Sequence, residues 1–210
     1  MQRTFLLVLI LSFSNFTVDS QKERSNYLNF GYVKQDFKSS ETSFLSMQSD
    51  NAVSLSWGHT FYLTRKPIFK CIRLGIDWTF LDLDLADYTT SFQQNYSSAK
   101  SSIYQLTAGM QIGPSLQLNP IAKLNLHLYY HFAPAYSFIG NREFKPYAYN
   151  YINIFTTGVG ISYKLIFFGA EKRWGNTTYR FTTTNTFEEI NTFLNDWNTQ
   201  SLRFYIGFRY

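Results

Sequence analysis

The chain has 210 residues, of which 45% are apolar, 20% aromatic and only 16% charged, with a net charge of +5. One cysteine, Cys71, excludes a scaffold held by internal disulfides. So little charge beside so much Tyr and Phe fits a surface that partly faces something other than water.

Met1 to about Ser20 reads as a secretory signal peptide. Arg3 supplies the basic start, Phe5 to Leu11 an apolar run, and Val18-Asp19-Ser20 a site for cleavage ahead of Gln21. The run is too short for a spanning helix, which needs about 20 residues, and no later stretch reaches that length either. Residues 21–210 are then expected to form one exported domain. Export and the dispersal of the basic residues argue against a nucleic-acid partner.

Beyond the signal, apolar and polar residues alternate with the period of two that marks a strand with distinct faces. Leu28, Phe30 and Tyr32 alternate with Asn29, Gly31 and Val33. After a polar loop at 38–50, Val53, Leu55, Trp57, Phe61 and Leu63 oppose Ser54, Ser56, Gly58, Thr60 and Tyr62. Thr64 to Pro67 make a short turn, and Ile72, Leu74, Ile76, Trp78 and Phe80 then oppose Cys71, Arg73, Gly75, Asp77 and Thr79. Parity slips at Leu81, Leu83 and Leu85, predicting a bulge.

A polar stretch at 86–100 reads as a loop. The fourth strand sets Tyr104, Leu106, Ala108, Met110 and Ile112 against Gln105, Thr107, Gly109, Gln111 and Gly113, ending in a turn at Asn119-Pro120. The fifth sets Leu124, Leu126, Leu128, Tyr130 and Phe132 against Asn125, His127, Tyr129 and His131. Residues 139–150 read as a loop, and Phe155, Thr157, Val159, Ile161 and Tyr163 then oppose Thr156, Gly158, Gly160 and Ser162. After a brief turn, Phe168, Ala170 and Trp174 oppose Gly169, Glu171 and Arg173. The span 176–199 reads as the longest loop, and the eighth strand sets Leu202, Phe204, Ile206, Phe208 and Tyr210 against Arg203, Tyr205, Gly207 and Arg209.

Eight amphipathic strands, alternating long and short connections and the aromatic-terminated pattern Phe204, Ile206, Phe208, Tyr210 resemble the small bacterial outer-membrane barrels of the OmpA/OmpX type, and in size the PorT-like barrels. The resemblance implies an all-β, eight-stranded antiparallel up-and-down transmembrane β-barrel, closed because backbone groups find no water in lipid. It also implies a terminal strand read by the barrel-assembly machinery, a monomer embedded in outer-membrane lipid and lipopolysaccharide, and loops open to an extracellular partner.

The polar faces carry Arg73, Asp77, His127, His131, Glu171, Arg173, Arg203 and Arg209, interleaved with Gly31, Gly75, Gly109, Gly158, Gly160 and Gly207. Glycine on a watery strand surface weakens it without return, whereas inside a small barrel it leaves room for long charged side chains. The charged face is therefore expected inside, as a network of four arginines against Asp77 and Glu171. Trp57, Trp78, Phe80, Tyr130, Phe132, Tyr163 and Trp174 are expected outside, several as an interfacial girdle. His59 falls on the outer face, which a bulge at Gly58 would explain.

Three other readings stay open: a narrow channel, a lipid A-modifying acyl hydrolase or acyltransferase, and a soluble lipocalin-like carrier with its faces reversed. His127 and His131 stand roughly 13 Å apart along a strand, too far to share a metal. Asp82, Asp84 and Asp87 read as an acidic loop base, with a divalent cation as the sharper alternative. No nucleotide loop, cysteine metal cluster or catalytic triad is visible, so no cofactor and no catalytic residue is assigned. The leading expectation is a non-enzymatic barrel with a side-chain-filled lumen and a membrane-structural or surface-recognition role.

Overall fold

The computed structural model describes residues 24–39, 46–64, 66–69, 71–94, 97–121, 123–140, 146–184 and 190–210. The signal segment expected at 1–20 lies outside them. The chain forms β1 (Asn26–Ser39), β2 (Ser46–Tyr62), β3 (Ile72–Gln94), β4 (Ser97–Ile121), β5 (Leu124–Gly140), β6 (Pro146–Tyr163), β7 (Ile166–Thr184) and β8 (Ile190–Arg209). Each strand pairs antiparallel with its sequence neighbours, and β8 pairs with β1, closing the barrel. Closure extends to the first residue of β1, where Asn26 and Tyr210 exchange both backbone hydrogen bonds, at 3.1 and 3.0 Å.

The barrel's stagger can be followed residue by residue. Ladder partners run Asn26, His59, Trp78, Ile112, Phe132, Phe155, Trp174 and Gln200, then return to β1 at Asp36, ten positions above the start. A stagger of that size tilts the strands steeply and leaves an interior just wide enough for side chains. This one row also corrects the girdle expectation. Trp78, Phe132, Phe155 and Trp174 lie along it on the outer face, with the ring centroids of Phe132 and Phe155 5.6 Å apart and those of Phe155 and Trp174 6.4 Å apart.

Facing follows the alternation. Phe30, Trp57, Ile76, Ile112, Leu128, Val159, Phe168, Phe204, Ile206, Phe208 and Tyr210 are exposed on the outside, while every charged group of the expected network is buried. An apolar skin around a charged interior suits lipid outside and is the reverse of a soluble lipocalin-like barrel.

The strands run 14 to 25 residues, longer than the 9–11 a bilayer needs. The stretches read as loops at 86–100, 139–150 and 176–199 are largely strand: β3 and β4 stay paired to Gln94 and Ser97, and β7 and β8 to Thr184 and Ile190. Their Ser, Thr and Asn content marked exposure to water, and cross-strand pairing continues there regardless of polarity. At the opposite end two connections are only two residues long, and Lys123 and Lys164 hold them at φ 79° and 56°. The tight turns impose that left-handed backbone, at about 1–2 kcal/mol per non-glycine residue.

The predicted slip is a bulge in β3. Phe80 and Leu81 both face out, and the ladders shift between Thr79 and Asp82 and between Trp57 and Gly58. No bulge occurs in β2 at Gly58, as had been expected for His59. β2 keeps strict parity there, so His59 does face outward, with Nδ1 2.6 Å from Asn26 Oδ1 and its ring 4.5 Å from that of Phe61.

Candidate functional site: the charged lumen

The bulge decides the chemistry of the interior. Two consecutive outward residues reverse the parity of everything after them. Asp82 and Asp84 therefore point into the lumen, 3% and 6% exposed, instead of lying at a solvated loop base as their sequence position suggests. Their partners are two arginines. Arg173 donates from Nη2 to Asp82 Oδ2 at 2.7 Å and from Nη1 to Asp84 Oδ2. Arg203 donates from Nη1 to Asp82 Oδ1 at 2.9 Å and from Nη2 to Asp84 Oδ1 at 2.6 Å. Each guanidinium thus bridges both carboxylates, and each carboxylate gives one oxygen to each arginine. The planar fork of arginine makes such pairing possible.

Glu171 flanks this brace. Its Oε1 lies 2.9 Å from Arg203 Nη1, at ion-pair distance but outside hydrogen-bond geometry. Its Oε2 accepts from the Tyr129 hydroxyl at 2.7 Å, and the Tyr129 and Tyr205 hydroxyls are 2.8 Å apart.

Nearer the short turns, Asp77 holds a second cluster. Its Oδ1 accepts from Ser115 Oγ at 2.8 Å, while Oδ2 lies 3.4 Å from His127 Nε2 and 3.3 Å from His131 Nε2. The two rings bend toward one carboxylate, so the spacing of their backbone positions misjudged their reach. Among the described residues, no group of three or more potential ligands is placed to hold a metal. Arg209 packs over the rings of Phe167 (4.3 Å) and Tyr27 (5.0 Å) and donates to His127 Nδ1 at 3.1 Å. Since a guanidinium only donates, Nδ1 accepts and the His127 proton sits on Nε2, toward Asp77. Arg73, four residues before Asp77, lies over the Tyr62 ring at 5.5 Å.

Of the expected network, Glu171, Arg173 and Arg203 meet directly, Arg209 reaches Asp77 through His127, and Arg73 stands at the turn end. Sequence reasoning missed Asp82 and Asp84, and arithmetic could have found them. Four buried arginines against two carboxylates leave two charges unpaired, which a low-dielectric interior does not tolerate. With the two aspartates turned in, four arginines face four carboxylates.

The glycines also serve a different end from the one expected. A Cβ on Gly158 would fall 2.2 Å from the Tyr129 ring, on Gly160 2.1 Å from the Phe167 ring, and on Gly169 2.3 Å from the Tyr205 ring. These three make room for inward aromatic rings, while a Cβ on Gly31 would meet Ser54 Oγ at 2.4 Å as well as the Arg203 stem at 3.1 Å, and one on Gly109 or Gly207 would meet backbone and small side chains.

At the hairpin end, Gln35 donates to Thr199 (2.9 Å) and Gln105 (3.2 Å), Gln105 donates to Ser137 (2.8 Å), and Tyr88 donates to Gln105 (2.7 Å). Val33, Ala52, Ala86, Tyr88, Ile139, Ala148 and Trp197 form an apolar cap there. Cavities of about 20 Å³ beside Asp77 and about 10 Å³ beside Asp84 each have room for a single water.

No protein-family model matches the chain, and no curated protein matches it. Several solved structures are similar in fold. Neisserial surface protein A is 12% identical, covering 88% of this chain and 97% of its own, with a TM-score of 0.47. Ail, the attachment invasion locus protein of Yersinia pestis, is 9% identical over 90% and 100%, at 0.40. The outer membrane protein OprG from Pseudomonas aeruginosa is 7% identical over 90% and 97%, at 0.46. On its own strand count, closure and facing, this chain has the fold of a small outer-membrane β-barrel: eight antiparallel strands, up-and-down, apolar outside and charged within.

Proposed function

We propose that the protein is a monomeric, non-enzymatic barrel of a Gram-negative outer membrane, plugged along its axis, that acts through the hairpins it raises above the lipid. Its export would use the signal at 1–20, and its insertion the outward row Phe204, Ile206, Phe208, Tyr210 offered to the assembly machinery. The observation that carries this reading is the double bridge of Arg173 and Arg203 across Asp82 and Asp84, which ties β7 and β8 to β3 through the middle of the lumen. An apolar cap lies toward the hairpin end. Together they favour a structural or recognition role over a passive channel.

Neither His127 nor His131 favours a lipid A hydrolase. Ser115 donates to Asp77 and not to a histidine, and His127 and His131 are buried on the face turned away from lipid. Paired strands continuing to Gln94–Ser97 and Thr184–Ile190 give the hairpins a firm backbone for contacts at the cell surface.

Purified protein in a planar bilayer is the test. Insertion without steady ohmic current is the expected result; a sustained conductance would replace this reading with the channel. Trimming the 89–102 hairpin end is expected to leave the barrel intact while removing whatever surface binding displaying cells show.

A further inference from the structure

Lys172 is out of place on the outer face. It is exposed on β7 between Ala170 and Trp174, and its ladder partners Thr157 and Leu202 face outward too. The ladder continues from Leu202 to Lys34 on β1, also exposed. Two lysines therefore flank one exposed leucine on three adjacent strands, their Cα atoms roughly 10 Å apart. The ion pairs of the described residues involve neither amine, and the nearby Asp36 accepts instead from Gln48 at 3.0 Å.

On β8 the row sits where the apolar skin gives out. Below Leu202, β8 shows Phe204, Ile206 and Phe208 to the outside; above it come the exposed polar Gln200 and Asn198. An unpaired amine at the lipid edge is costly unless its flexible stem carries it up to an anionic headgroup. The edge in question is at the hairpin end, opposite Asn26, Tyr210 and the short turns. From the outer-membrane reading above, on which this inference rests, it faces the outer leaflet.

We infer that Lys34 and Lys172 form a clamp for a phosphate of lipid A, with Leu202 under the acyl chains between them. Paired lysines suit this ligand: two compact ammonium groups on long stems can converge on one phosphate from either side. Trp174, two residues above Lys172 on the same face, lies beside the bound sugar.

The test titrates bis-phosphorylated lipid A, dephosphorylated lipid A and phosphatidylglycerol in mixed micelles against the full-length detergent-solubilised protein, read by tryptophan fluorescence. The comparison is between K34Q/K172Q and K66Q/K164Q, which removes equal charge at the turn end. The expected result is saturable binding of bis-phosphorylated lipid A that falls about thirtyfold in K34Q/K172Q, as two lysine attractions of ordinary size are lost, and holds in the control. Equal loss in both pairs, indifference to the phosphates, or equally tight phosphatidylglycerol would overturn the clamp. Gel mobility with and without boiling is run on every variant. A wild type without a heat-sensitive compact form would refute the barrel reading itself, whereas intact barrels blind to lipid A refute only the clamp.

Discussion

Arg203 and Asp82 lie 121 residues apart in the chain and 2.9 Å apart in the lumen, one on β8 and the other on β3. Their contact exists because β3 carries a bulge two residues before Asp82, and most of the barrel's interior logic follows from it.

Breaking the brace should be costly. Asp82→Asn removes one carboxylate charge facing two buried arginines, and losing one partner of a buried pair costs about 3–5 kcal/mol. The expected outcome is a barrel that still inserts but unfolds at lower urea concentration and loses its fast-running unboiled band at a lower temperature. Exchanging Asp36, which is half-buried and outside the brace, for Asn should shift neither measurement appreciably.

Reversing the parity that follows the bulge should be worse than removing either charge. Inserting one alanine between Leu81 and Asp82 sends Asp82 and Asp84 toward lipid, with Leu83 and Leu85 turned inward, whereas deleting Leu81 removes the bulge and leaves both aspartates inside. No heat-modifiable barrel is expected from the insertion, while the deletion should still give one. Leu81→Ala, which keeps the residue count, should fold with a small loss of stability.

The aromatic–glycine pairs give a separate test of the interior. Gly160→Ala drives a methyl into the Phe167 ring, and overpacking of this kind costs about 1–3 kcal/mol. Combining it with Phe167→Leu should recover part of that loss in urea unfolding, a coupling that two independent sites would not show. Gly75→Ala, whose nearest contacts are at 3.0 Å, should be the milder change.

Which face meets lipid can be read from single-tryptophan variants in liposomes of brominated lipid. Trp57 and Trp78, 46% and 40% exposed on the outside, should be strongly quenched, while Trp197, 5% exposed inside, should keep its emission. The reverse order would mean that the sheet is inside out.

Much of this was legible before any coordinates. The period of two located eight strands and assigned Phe204, Ile206 and Phe208 to one face and Arg203 and Arg209 to the other, because one-residue alternation is a local property of extended backbone. Strand ends were less legible. The stretches 86–100 and 176–199 look like loops by composition, yet pairing continues through them, since a hydrogen-bonded ladder does not require apolar side chains.

What the sequence by itself determined is the class: alternation sets the two faces, and a charged face that must be kept from lipid forces the sheet to close around it. What only the tertiary structure decided is who meets whom inside. Asp82 and Asp84 became network members through a two-residue bulge, His127 and His131 came to share Asp77 through side-chain reach, and Phe167 found Gly160 through register between strands. These outcomes depend on ladder shifts of a single residue and on a stagger of ten positions around the barrel, quantities that local alternation leaves open and that closure and charge pairing together select.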